Sequence, residues 1–289
     1  MSTAVRFRAY SLATLLLAVV TIALVLTYYP PEIEARWVVA LGTLLLLAIL
    51  SAYLALTVTE GGASTAADFL AHLAAVVMLG PAGAVVLVIV QAVVTELVML
   101  KKPIFIALFN LGQFVMLTAV AGVVYQLFGG VPSLDSIQLR QAFPPFVVAV
   151  IAYWATNSVL ASYAVSIAER RPAFEVWRQA IGVVIVFDVA MSSLAFVIAL
   201  MYVRWGQASL LAAIIPMIGL RYSYGVNIQL QQLNQDLLRV LIKTLEARDK
   251  YTSGHSVRVS ERSRRVAEQL GVRGRQLRNI ETGALLHDI

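Results

Sequence analysis

The chain has 289 residues and a net charge of +6; 60% of it is hydrophobic, only 13% is charged, and the mean hydropathy is +0.82. These values exclude an ordinary water-soluble domain and read as a polytopic membrane protein. There is no cysteine, which excludes disulfides and thiolate metal sites.

Charge is unevenly spread. Residues 221–289 hold 12 Lys and Arg against 7 Asp and Glu, whereas residues 1–220 hold 10 against 9. A basic tail suits a cytoplasmic segment near anionic lipid, or one that attracts a phosphate ligand. A nucleic-acid polymer is not an expected partner, because no aromatic stacking pattern accompanies the charges.

Apolar runs of spanning length cover 9–29, 37–58, 104–128, 143–167, 180–203 and 206–221. A span needs about 20 apolar residues, so the last is short. The first run follows Arg6 and Arg8. It is too long for a signal-peptide core and lacks a small-x-small cleavage site, so it reads as a retained helix. Between the second and third runs lies 66–100, interrupted at Gly80-Pro81. Each half is short and Pro81 limits a continuous helix. The prediction is a tight, re-entrant hairpin of two short helices. The fold class is therefore all-α: a multi-pass bundle over 1–221 with about eight membrane-embedded helices, counting the hairpin as two.

Loop charges support this layout. With the N-terminus inside, the inner segments carry Arg6, Arg8, Lys101, Lys102, Arg170, Arg171 and Arg178 together with the basic tail, and the outer loops carry only Arg36, Arg140 and Arg204. That asymmetry fits the positive-inside rule and places both termini in the cytoplasm. It holds only if 66–100 returns to the side it started from.

Several polar residues sit where a bilayer makes them costly. Asp188 lies well inside the 180–203 run, Glu96 near the inner end of the hairpin, and Asp68 and His72 at its start. Asp188, Glu96 and His72 are candidate signal-site residues on this ground. Asn110, Gln113 and Asn157, in neighbouring spans, are read as hydrogen bonds between helices. For Asp188 both readings stay open. His72 as a haem or metal ligand is the weaker reading, since the membrane part has no second histidine.

Residues 222–250 form a connector. Val226, Leu230, Leu233, Leu237, Val240, Thr244 and Ala247 follow alternating four- and three-residue steps, the a/d rhythm of a coiled coil. Leu238, Leu241 and Leu245 add a second stripe. A homodimer through the 226–247 helix is expected, with the membrane bundle acting on the C-terminal part by rotation or register change of that helix.

The C-terminal segment, 251–289, carries the chemistry. Around 249–259 it reads Asp249-Lys250-Tyr251-Thr252-Ser253-Gly254-His255-Ser256-Val257-Arg258-Val259, and it ends Leu285-Leu286-His287-Asp288-Ile289. Thr252-Ser253-Gly254 is turn chemistry. Val259, Val266 and Leu270 recur at helical spacing, Gly271 is a plausible C-cap, and Ile280, Ala284 and Leu285 read as the buried face of a second helix ending near His287. Adjacent His and Asp side chains can reach one metal ion through nitrogen and oxygen.

These two runs, in this order and at this separation, resemble the start of an HD-GYP domain, a bacterial branch of the HD phosphohydrolases that hydrolyses cyclic di-GMP. The resemblance covers only about the last 45 residues. It implies that His255, His287 and Asp288 are metal ligands, that His287 and Asp288 are the catalytic signature pair, and that Asp288 bridges two ions. It also implies two or three divalent metal ions, iron or manganese, and cyclic di-GMP as substrate. The family continues with Gly-Lys, further His and Asp ligands, and a Gly-Tyr-Pro segment. The 289 residues carry only part of such a site and are expected to be inactive and to bind metal poorly on their own. The membrane region resembles the multi-pass sensor modules that precede bacterial signalling domains, so the expected location is the bacterial inner membrane. Two other function classes stay open: a receptor or transporter-like binding module with a regulatory or inert HD part, and an HD phosphohydrolase acting on other nucleotides.

Overall fold

The computed structural model describes residues 2–53, 56–57, 64–65, 68–181, 184–209, scattered positions between 211 and 240, 255–272 and 274–287; for 56–57, 64–65, 179–191, 274, 275 and 278 it describes the backbone alone. It divides into two compact units, Met1–Arg221 and Tyr222–Ile289. Among the described residues the regular elements are helices, apart from a two-residue antiparallel ladder, Leu56–Thr57 with Ser64–Thr65.

The first unit contains α1 (Thr3–Tyr28), α2 (Ala35–Tyr53), α3 (Phe69–Ala92, continued by a π-helical turn, Val93–Met99), α4 (Ile104–Leu127), α5 (Leu139–Glu169), α6 (Ala173–Ile181) and α7 (Val184–Trp205). Among the described residues, α1, α2, α3 with its π turn, α4 and α5 are long and apolar enough to cross a membrane. The described positions between 211 and 219, in the last expected span, are helical.

The centre of this unit is α3. Of its most apolar stretch 83% is buried inside the protein, against 22% for α1. Its sequence is apolar all round, which suits a helix surrounded by protein rather than one with a polar face. It packs against α2, α4 and α7, while α1 packs outside on α4.

α3 is folded back on itself. Gly80 has φ 72° and ψ −173°, a region essentially reserved for glycine. The Gln91 side chain reaches both Asp68 and His72. In a continuous helix, 19 residues would separate His72 from Gln91 by about 28 Å, so the two halves run antiparallel. The expected hairpin is therefore present. Its tip touches the α4–α5 loop, where the Ser133 N–H donates to Val77 O at 3.2 Å. α4 approaches closely at Gly122, where a Cβ would stand 2.8 Å from Pro81 Cα.

The two ends of the unit differ in charge. At one end Arg8 lies over the Phe105 ring (5.0 Å) and the Arg170 Nε–H donates to Thr3 Oγ1 (2.8 Å). Lys101 and Lys102 directly precede α4 at this end. At the opposite end Arg36 pairs with Asp135 of the α4–α5 loop. The basic groups thus cluster on one side of the bundle, as the loop charges require.

One element departs from the sequence reading. The stretch after α5, read as a plain inner loop, contains α6. Phe174 and Trp177 stack on it at 5.7 Å, beside Arg178. A short amphipathic helix of this kind belongs at a membrane surface.

The second unit contains α8 (His255–Gln269) and α9 (Gly274–Leu285), packed on each other. Gly271 has φ 79° and ends α8, with the Val272 N–H donating to Ala267 O, as a C-terminal glycine should. On α8 it is the small residues that pack against α9. Ser256, Ser260 and Ala267 are buried, whereas Val266 and Leu270 are 56% and 77% exposed, and on α9 Ile280 is 40% exposed. Small side chains let the helices approach, and the Ser260 hydroxyl donates to Glu281 O at 2.8 Å. Arg264 spans the pair to Glu281 at 3.5 Å.

Candidate functional site

The membrane unit holds a buried chain of polar side chains. His72 and Gln91 are fully buried and Tyr153 is nearly so. His72 Nδ1 lies 2.9 Å from Tyr153 Oη, His72 Nε2 lies 2.5 Å from Gln91 Oε1, and Gln91 Nε2 lies 3.0 Å from Asp68 Oδ2. A carboxylate only accepts, so Asp68 fixes the Gln91 amide with its NH₂ toward Asp68 and its oxygen toward His72. That oxygen only accepts, so His72 carries a proton on Nε2. In the neutral ring Nδ1 then accepts from the Tyr153 hydroxyl. Donors run in one direction: Tyr153 to His72 to Gln91 to Asp68.

This arrangement argues against His72 as a haem or metal ligand, because both ring nitrogens already face protein partners. The hairpin is what builds it: Asp68 and His72 come from one limb and Gln91 from the other. A folded-back α3 therefore does more than satisfy charge topology; it supplies partners for groups that would be costly alone in a bilayer.

Glu96 sits on the π turn, 5% exposed. Lys102 Nζ lies 2.9 Å from its carboxylate, and Asn110 Nδ2 donates to Oε2 at 2.6 Å. π turns inside helices often mark functional positions, yet this carboxylate is already paired. A Gln113 to Asn157 hydrogen bond of 2.6 Å links α4 to α5, as expected of those two residues. Asp188 falls on the backbone of α7, and its side chain lies outside the described residues.

In the C-terminal unit, α8 begins with His255, and α9 ends two residues before His287. Their packing brings the two rings to 5.4 Å between centroids. Two imidazoles bound through nitrogen at about 2 Å to one ion would place their ring centres roughly 5 Å apart at a tetrahedral angle. The observed spacing fits that requirement. His287 Nδ1 lies 2.8 Å from the Ala284 carbonyl oxygen, which only accepts, so Nδ1 carries the proton. In the neutral ring Nε2 then holds the lone pair. Metal-binding histidines are commonly oriented by such a hydrogen bond. Asp288 lies outside the described residues. Among the described residues, no three His, Asp or Glu come together as a metal-ligand set. Comparison with family models, with curated proteins and with solved structures finds no match for this chain.

Proposed function

We propose that the chain is the membrane-sensing and ligand-bearing part of a cyclic di-GMP phosphodiesterase of the HD-GYP type, in the bacterial inner membrane. The observation that supports this best is the pairing of His255 with His287 across α8 and α9. Residues distant in sequence meet there, with ring centres at a spacing compatible with one shared ion. Together with Asp288 they would hold part of a two- or three-metal centre of iron or manganese. Such a centre supplies an activated water and neutralises phosphate charge. The decisive assay is hydrolysis of cyclic di-GMP by protein carrying the complete domain and loaded with metal. No turnover on cyclic di-GMP, with turnover on other nucleotides, would favour a different HD phosphohydrolase. Metal-free protein that binds ligand through its membrane unit alone would favour the receptor or transporter-like reading.

The proposal places both termini in the cytoplasm. Single cysteines report this cleanly, because the chain has none of its own. Ser136→Cys, at an exposed position of the α4–α5 loop, is expected to react with a membrane-impermeant thiol reagent in intact cells, as is Ser133→Cys. Ala173→Cys and Ser253→Cys are expected to stay protected until the cells are opened. Labelling of Ala173→Cys in intact cells would overturn the layout.

The proposed partner of the connector is a second copy. Leu230, Leu233, Leu237 and Val240 are 51%, 54%, 52% and 59% exposed in the single chain, and their described backbone is helical. Of the connector, 241–250 and several positions before it lie outside the described residues. Leu237→Cys is expected to form a disulfide-linked dimer in oxidised membranes. Asp236→Cys, one position off the stripe, is expected to cross-link at least several-fold less. Equal cross-linking of the two would remove the case for a parallel seam.

A further inference from the structure

A groove of about 910 Å³ opens between α1 and α5 at the basic end of the membrane unit. Its upper rim carries three guanidinium groups, Arg6 from α1 and Arg170 and Arg171 from the end of α5. No carboxylate is among the described residues lining the groove; Glu169, beside it in sequence, pairs with Arg171 at 3.2 Å, so three arginines against that one carboxylate leave an excess of positive charge. The left-handed turn at Arg170 (φ 55°) ends α5 and brings both arginines to the rim. Arg170 is tied to the start of α1 through its bond to Thr3.

The walls change character with depth. Ala13 lies seven residues beyond Arg6 on α1, and Tyr163 lies seven residues before Arg170 on α5. At 1.5 Å per residue each step is about 10 Å. The deeper level is small and aromatic: Ala9 and Ala13 on one wall, Tyr163 on the other, with Tyr163 packed at 4.9 Å on Tyr10. The groove thus presents cations at one level and apolar surface one headgroup's depth below. Two further observations fit a membrane boundary at that transition. Of the helices long and apolar enough to cross a membrane, α1 is the least covered by protein, and α6 carries its stacked Phe174 and Trp177 just after Arg171. Tryptophan and arginine gather at that level in membrane proteins.

We propose that this groove is a binding site for an anionic phospholipid. The phosphate sits between Arg6, Arg170 and Arg171, and the upper acyl chain runs along Ala9, Ala13 and Tyr163. Arginine forks suit phosphate oxygens, and basic pockets between membrane helices hold anionic headgroups. A soluble phosphate anion would use the same rim, but it would gain nothing from the apolar walls below.

The test uses the full chain, purified in a neutral detergent and titrated with phosphatidylglycerol or phosphatidylcholine, with bound lipid counted by native mass spectrometry. Phosphatidylglycerol should be retained in preference to phosphatidylcholine. Arg6→Gln with Arg170→Gln should weaken its retention by about fivefold per arginine. Ala13→Trp, which fills the groove and leaves every charge in place, should also lose the lipid. Arg140→Gln with Arg204→Gln, at the opposite end, should retain it. Equal retention of both lipids, or equal loss in the two double-arginine variants, would overturn the proposal. So would retention in Ala13→Trp, or displacement by glycerol 3-phosphate at concentrations comparable to the lipid's, which would assign the rim to a soluble anion.

Discussion

Replacing His287 and Asp288 together by alanine is expected to abolish cyclic di-GMP hydrolysis in protein that carries the complete domain, by about a thousandfold or more. The proposed metal centre would supply several kcal/mol of transition-state stabilisation, and each ~1.4 kcal/mol is a factor of ten in rate. The paired replacement removes an imidazole whose Nδ1–H is already oriented by Ala284 and the proposed bridging carboxylate. His255→Ala alone is expected to lower metal content and activity less severely, since it removes one ligand and leaves the signature pair. Bound iron or manganese should fall in parallel with turnover in both variants. Unchanged turnover in the double variant would end the phosphodiesterase assignment. Lost turnover with unchanged metal content would show instead that these side chains act on substrate rather than on the ions.

The membrane class was legible in composition, and most element positions were legible in the apolar runs. Two independent signals, Gly80-Pro81 and the charges at Lys101 and Lys102, pointed to the hairpin, and the contact of Gln91 with Asp68 and His72 bears it out. The role of His72 was not legible. Its partner Tyr153 lies 81 residues away, and only packing of α5 against the hairpin makes the two meet. Hydropathy marks such residues as costly and cannot say which of them are satisfied. α6 was missed for a different reason: nine residues are too few for a spanning signal, and its pattern is easily read as a loop with charges. On α8 the spacing of Val259, Val266 and Leu270 marked a half-buried helix but did not say which side meets α9; the close approach of two short helices uses the serine and alanine side. No local pattern states how α8 and α9 pack, so the residues alone did not place His255 beside His287.

Gly80→Ala should be among the most damaging single-methyl changes in the membrane unit. A residue with a Cβ is poorly tolerated at φ 72°, ψ −173°, and holding such a conformation costs of order 1–3 kcal/mol. The added Cβ would also meet Pro132 Cγ at 3.2 Å and Gln126 Nε2 at 3.4 Å. Relaxing either strain moves the tip of the hairpin. The tip positions both limbs, so Asp68, His72 and Gln91 would lose their alignment, and an unpaired buried polar group adds a further ~1–3 kcal/mol. The combined loss is a large share of a typical folding free energy. It should appear as a sharply lower Tm in detergent and reduced accumulation in the membrane. Two controls separate the causes. Gly129→Ala, at φ 89° with open space around its Cβ, carries the backbone penalty without the contacts. Gly42→Ala, inside α2 with nothing within 4 Å, should be neutral or slightly stabilising. If Gly80→Ala behaves like Gly42→Ala, α3 does not turn at Gly80, and the charge layout built on that turn fails with it.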